Sequence, residues 1–372
     1  MFSLHIDSAR SWRGGQNQVL VTVLGLRALG HRTVLVAHPT GELRRRAEEG
    51  LDFVPLVSRT ELDLASSWRL SRVLKRLQPD VVHAHDPHAV AMAALALSMS
   101  TQPRKPPLVA SRRVDFRLGR NALSRWKYRQ VDLFICSSEA IRRMLVSDGI
   151  PSARTLTVHE GVDLERVNAA PVAPLHQELW LPHGAPIAGN VAALVPHKGQ
   201  RYLVQAVPVV LRDQPDARFV IAGEGELHGA LQHQIAQHHL EKHVILAGFR
   251  PDVLSVHKAF DLFVMSSVTE GLGTSLLDAM ACGKPVVATT AGGIPEVVAD
   301  EETGILVPPR NHVALGEAIV RLLGNADLRE RMGTAGLARV RARFSADVMV
   351  KNTLRAYQHV VRDRPAGRSR RR

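Results

Sequence analysis

Only two cysteines, Cys136 and Cys282, occur in 372 residues, which excludes a disulfide-stapled secreted scaffold. Both stand in apolar surroundings, DLFICSS and AMACGKP, and read as buried thiols in a reducing compartment. Aromatic residues make up 4% of the chain and no nucleic-acid-binding motif is present, so nucleic acid is not an expected partner. Long hydrophobic runs are missing too. The longest, AVAMAALALSM at 89–99, falls short of the ~20 residues a transmembrane helix needs. The opening MFSLHIDSARSW has no basic segment leading into an apolar one, so no secretory signal is expected. These absences point to the cytoplasm, as a soluble or peripherally membrane-bound protein.

Positive charge, in contrast, is abundant and unevenly placed. The net charge is +13. Residues 1–150 carry 23 Lys and Arg against 13 Asp and Glu, whereas residues 151–360 carry 19 against 21. A basic first half joined to a near-neutral second half suggests an anionic partner for the first, such as a phosphorylated glycolipid or an anionic membrane face. Arg112 and Arg113, after the strand PLVAS, and Arg142 and Arg143, on a following helix, are the residues expected to form that acceptor or membrane surface.

Both halves alternate short β-branched runs with longer helical patterns, which predicts parallel sheets with crossover helices. The expected strands are FSLHI, RTVLVAH, DFVPL, DVVHAH, PLVAS and VDLFICS, then IAGNVAAL, ARFVIAG, HVILAGF, DLFVMSS, KPVVATT and GILVPP. The resulting class is α/β, with two doubly wound domains facing across a cleft and ligands at the carboxyl ends of the strands. Expected boundaries are 1–168 for a first, acceptor-binding domain, 169–186 for a Pro- and Ala-rich linker, and 187–344 for a nucleotide-sugar-binding domain. A helix over 345–361 and a disordered basic tail over 362–372 follow.

The segment SSVTEGLGTSLLDAMACGKPVVATTAGGIPEVV constrains function most tightly. An apolar strand stops in small polar residues, the loop Glu270-Gly271-Leu272-Gly273 follows, and Thr274 opens a helix. Free backbone N–H groups and the positive end of a helix dipole suit an anion there. Glu270 and, one turn into the helix, Asp278 add two carboxylates, so the segment suits a ligand with both phosphates and hydroxyls. Lys198, in VPHKGQ, brings an ammonium group and a second helix start to the same sheet edge. Gly14 and Gly15, after the first strand, permit close approach of backbone amides to a phosphate or to an acceptor. The run DVVHAHDPHA offers His83, His85, Asp86 and His88. A metal site is conceivable from the ligand types, but cleft or core imidazoles are the preferred reading, and no metal is expected.

Together these motifs resemble the family 4 glycosyltransferases of the GT-B fold, over nearly the whole chain. The most specific segment is Glu270 to Val298, with the turn Gly292-Gly293-Ile294-Pro295-Glu296. The resemblance implies a retaining transfer from a nucleoside diphosphate sugar, with no further cofactor. It casts Glu270 on the donor-sugar hydroxyls, Asp278 on the ribose and Lys198 on the leaving diphosphate; His85, nearest the carboxyl end of its strand, is expected against the donor sugar. The resemblance casts the amides of Gly271, Leu272, Gly273 and Thr274 as donor contacts, and Phe249 and Arg250 as the wall of the base pocket; Gly14 and Gly15 join the donor contacts on their own position after the first strand. The final helix would cross back to the first domain. Three positions depart from the family pattern: Asp278 replaces Glu, Ala192-Ala193 replaces a Gly-Arg pair, and Glu160 replaces the Asn before Gly161. Arg201, three residues after Lys198, is the expected substitute for the missing arginine. The favoured acceptor is a cell-envelope glycan or lipid-linked saccharide of lipopolysaccharide type. A sugar nucleotide epimerase and a non-catalytic nucleotide-sugar-binding protein are the competing readings.

Overall fold

The computed structural model describes residues 1–47, 50–57, 60, 63–119 and 121–363; most of the expected tail, 364–372, lies outside them. The chain forms two compact units, 1–161 with the segment from Ala346 onward, and 162–345. In the first unit, strands β1 (Phe2–Asp7), β2 (Arg32–Ala37), β3 (Asp52–Pro55), β4 (Val81–Ala84), β5 (Leu108–Arg112), β6 (Leu133–Cys136) and β7 (Thr155–Thr157) form one sheet in the order β3-β2-β1-β4-β5-β6-β7. In the second, β8 (Ile187–Val191), β9 (Arg218–Ala222), β10 (Val244–Gly248), β11 (Leu262–Met265), β12 (Val286–Thr289) and β13 (Gly304–Val307) follow the order β10-β9-β8-β11-β12-β13. Every pairing is parallel. The inner strands are buried throughout because helices cover both faces, which is why they read as unbroken apolar runs. Strand order reverses between β1 and β4 and between β8 and β11. Those are the points where an open α/β sheet leaves a crevice at its carboxyl edge.

Two features differ from the sequence reading. Strand β7, only three residues long at the sheet edge, was too short to stand out as an apolar run. The stretch 169–186, rich in Pro and Ala, is packed structure rather than linker. Ala173 and Leu175 are buried, the Ala173 amide donates to the Ser255 carbonyl at 3.1 Å, and Lys258 Nζ donates to the Ala170 carbonyl at 2.5 Å. Proline supplies tight turns here, and the unit boundary falls at Gly161 instead.

The last helix, Ala346–Arg362, belongs to the first unit. It lies against the Gly14–Ala28 helix so closely that a Cβ on Gly25 would stand 2.5 Å from Val350 Cγ2. Tyr357, on the buried face of this last helix, is fully buried in a cluster with Val81, Val109 and Leu133. No helix among the described residues is long and apolar enough to cross a membrane.

Candidate functional site

In the second unit the carboxyl ends of β8 and β11 run into two loops that are laced together. The turn Pro196–Lys198 ends at Gly199, whose φ of 65° opens the helix Gln200–Asp213. Val268 N donates to the His197 carbonyl at 2.8 Å, and Ser266 Oγ donates to the Lys198 carbonyl at 3.3 Å. A Cβ on Gly199 would stand 2.2 Å from the Ser266 carbonyl oxygen, so only glycine permits this approach. The outcome is an ion pair: Lys198 Nζ lies 2.6 Å from Glu270 Oε2, with side chains 20% and 11% exposed. Ser267 Oγ donates to the same oxygen at 3.1 Å. From the other side Gly293 N donates to the Glu270 carbonyl at 3.2 Å. Gly273, with φ 92°, then starts the helix Thr274–Ala281, which has no side-chain cap. Leu272 is buried and anchors the loop, and Asp278 stands half-buried one turn along. An ammonium, a carboxylate and an uncapped helix start therefore share one sheet edge, a constellation able to meet phosphate oxygens and sugar hydroxyls together.

The neighbouring expectations fare unevenly. Phe249 is exposed at the end of β10. Arg250 is not free to line a base pocket: its guanidinium grips Asp252 at 2.8 and 2.6 Å and Glu178 at 2.5 Å, contacts that raise its pKa. Arg201 is no evident substitute for the arginine absent at Ala193. Its guanidinium stacks 4.5 Å from the Tyr202 ring centroid and bonds the Tyr202 hydroxyl. The Ala193 carbonyl accepts from Gln200 Nε2 at 3.0 Å.

In the first unit the polar edge is more deeply built than the sequence suggested. Gly14 and Gly15 begin the Gly14–Ala28 helix at the end of the loop that follows β1, again with no side-chain cap. Beside them Arg113 pairs with Glu160 at 3.1 Å and reaches His85 Nδ1 at 3.3 Å. The glutamate that replaces the family's Asn thus receives this guanidinium. Asp86 caps the helix Pro87–Met99, accepting from His88 N and Ala89 N at 2.9 Å, so it is no metal ligand. The group of described residues whose ligand atoms could converge on a metal is instead His5, His83 and His85. His5 was invisible to motif reading because β1 and β4 pair across some eighty residues, although Ser3, His5 and Asp7 alternate along one face of β1. His85 turns both ring nitrogens inward, to His5 at 3.0 Å and to Arg113. The four arginines do not form one surface. Arg112 is buried and bonds the Phe116 carbonyl, Arg113 is held by Glu160, and Arg142 pairs with Glu139 at 2.8 Å; Arg143 alone of the four is exposed.

Burial keeps these histidines neutral. It lowers His5 to about 3 and His83 and His85 well below the usual value, with the Arg113 charge adding to the effect on each. Burial, and then the charge of Asp86, raises Asp7 to about 6. In the unfolded chain three imidazoles take up protons below about pH 6.5. Folded, they refuse them, so their stabilisation is complete above that pH and is lost as pH falls. Asp7 acts in the opposite sense between about 6 and 3.8, but one carboxyl faces three imidazoles. The net is two protons, at most about 2.7 kcal/mol per pH unit. The urea midpoint of the first unit, followed by fluorescence of Trp12, Trp68 and Trp126 with Trp180 replaced by Phe, is expected to fall steadily from pH 6.5 to pH 5. A flat profile would contradict the burial of neutral rings.

Comparison with known proteins places the chain in a family and a fold. The model for glycosyltransferase family 4 matches residues 12–166, and that for glycosyl transferases group 1 matches residues 173–339. The chain belongs to glycosyltransferase family 4. This glycosyltransferase is 33% identical over 201 residues to a GDP-mannose-dependent monoacylated alpha-(1-6)-phosphatidylinositol monomannoside mannosyltransferase of Corynebacterium glutamicum, covering 51% of this chain and 52% of that one. The match thus spans about half of that relative. With the phosphatidyl-myo-inositol mannosyltransferase of Mycobacterium leprae it shares 27% identity over 365 residues, 94% of this chain and 93% of the other. Among solved structures, Anabaena HepE in complex with UDP and glucose superimposes with a TM-score of 0.83 at 21% identity, over 96% of this chain and 100% of that one. The shared fold is GT-B, two Rossmann-like domains.

Proposed function

We propose that the enzyme transfers a glycosyl group, with retention, from a nucleoside diphosphate sugar to a hydroxyl of an anionic cell-envelope glycolipid, with lipopolysaccharide-type saccharides favoured. The observation that carries the reading is the Lys198–Glu270 pair beside the uncapped Thr274 helix start. When a donor arrives, its diphosphate competes for the ammonium group, and the released carboxylate accepts from sugar hydroxyls. As the anomeric C–O bond breaks, charge grows on the leaving phosphate, where Lys198 and the helix amides stabilise it. The acceptor oxygen bonds the anomeric carbon on the face the phosphate leaves, and its proton passes to the phosphate oxygen. Glu270 is an orienting group in this scheme, since its partner is a lysine and not a second carboxylic acid. UDP-sugars head the donor panel because a UDP complex shares the fold; GDP-mannose follows because relatives use it. Mass-resolved product formation from one donor with an envelope glycolipid extract is the expected result. Conversion of donor alone to another sugar nucleotide would support an epimerase instead, and binding with no turnover on any acceptor would support a non-catalytic protein.

The lipid-facing surface is better sought on the helix Leu64–Leu77 than on the four arginines. It is capped by Asp63 and has no acidic residue of its own. Leu64 and Trp68, one turn apart, are 60% and 54% exposed. Exposed Arg69, Arg72, Lys75 and Arg76 continue the outward stripe. Amphipathic aromatic and basic groups in this order suit an anionic headgroup layer. Neutralising Arg72, Lys75 and Arg76 to glutamine should weaken sedimentation with anionic vesicles about a hundredfold, at about 1 kcal/mol per charge. Unchanged pelleting would remove this helix from the interface.

A further inference from the structure

The buried histidines of the first unit carry a direction. Arginine only donates, so His85 Nδ1, which Arg113 Nη2 approaches at 3.3 Å, must be an acceptor. A neutral ring then carries its proton on Nε2 and donates to His5 Nδ1 at 3.0 Å. His5 in turn holds its proton on Nε2 and donates to Ser3 Oγ at 2.9 Å. Ser111 Oγ, 3.4 Å from the same His85 Nδ1, can only donate there, so it accepts from His83 Nε2 at 2.8 Å. That leaves His83 Nδ1 to accept from the Tyr357 hydroxyl at 2.5 Å. One cation fixes every tautomer. Charged groups near the chain are Arg113 and Asp7, with Glu160 and Asp86 behind them. A protonated ring would set two donors against each other inside the core.

We propose that Tyr357, His83, Ser111 and His85 form a unidirectional hydrogen-bonded chain that positions the Arg113 guanidinium at the Gly14–Gly15 edge, with Tyr357 and His83 as positioning residues for transfer. All three imidazoles are Nε2–H tautomers, and each Nδ1 accepts. Because every ring nitrogen is already engaged, the cluster is a relay of orientation and not a vacant metal site. Sequence alone offers no route to this, since Tyr357 enters from the last helix and His5 from the first strand. The role in transfer rests on the proposed glycosyl transfer; the tautomer assignment does not.

The test is 15N spectroscopy of histidine-labelled enzyme, assigned with single His→Gln variants, beside steady-state kinetics. Wild type is expected to give three neutral Nε2–H rings that do not titrate between pH 5.5 and 8 and do not respond to equimolar zinc. An Nδ1–H tautomer, titration in that window, or a zinc-induced shift of all three would overturn the chain. In Tyr357→Phe, which keeps the packed ring, the His83 signal should broaden between tautomers and His85 should shift with it. With transfer activity in hand, kcat should fall about tenfold at unchanged donor KM. An unmoved His85 signal, or unaltered kcat, would deny transmission. Failure to find any transfer activity would leave the spectroscopic result standing, so the two failures are distinguishable.

Discussion

Gly292→Ala should cost at least about a hundredfold in kcat/KM while leaving the second unit folded. Gly292 has φ 52°, and an alanine Cβ there would lie 1.8 Å from the Glu270 carbonyl oxygen and 2.9 Å from its carbonyl carbon. Backbone cannot yield as a flexible side chain does, so the Glu270 loop must move. Gly293 N would lose its 3.2 Å bond to that carbonyl, and the carboxylate would leave its place beside Lys198. A displacement of about 1 Å at a reacting centre is enough for a hundredfold loss. The conserved chemistry of all side chains makes the prediction sharp: donor KM and kcat should both deteriorate, with the melting temperature lowered by a few degrees. Near-normal turnover would mean the turn does not hold Glu270 in register.

Lys198→Ala is expected to lower kcat by two to three orders of magnitude with a smaller rise in donor KM, the range for losing one preorganised group that meets developing charge. The family's arginine is absent at Ala193, and Arg201 is stacked on Tyr202, so the lysine carries more of the neutralisation than it would beside a second cation. Removing it also leaves Glu270 with Ser267 but without its counter-ion, and the anionic pocket should repel diphosphate. Glu270→Gln in the same background should therefore recover part of the lost donor affinity but none of the rate. A single Lys198→Ala variant with wild-type turnover would end the assignment of Lys198 to the leaving group.

What the sequence revealed follows from the range of the interactions involved. Twelve strands were legible because each is a local apolar run between turns, and only the three-residue β7 carried too little pattern. Lys198 and Glu270 were joined by motif, which encodes proximity indirectly, and the 2.6 Å pair is the physical reason for it. Long-range polar pairing left no such trace. Arg113, expected on an acceptor surface, and Arg250, expected in the wall of a base pocket, are held by Glu160 and Glu178, which lie far away in the sequence. The 169–186 stretch misled for a related reason, since proline marks turns whether or not they pack.

Tyr357 and Val350 close the interior of the first unit from the helix Ala346–Arg362, which follows the whole second unit. During synthesis the nascent amino-terminal sheet therefore waits, with the face that these residues seal still open, while the whole intervening unit emerges from the ribosome and collapses. Its histidine cluster acquires the tyrosine hydroxyl only after that intervening unit has been made, so truncation shortly before residue 357 should leave a chaperone substrate rather than half an enzyme.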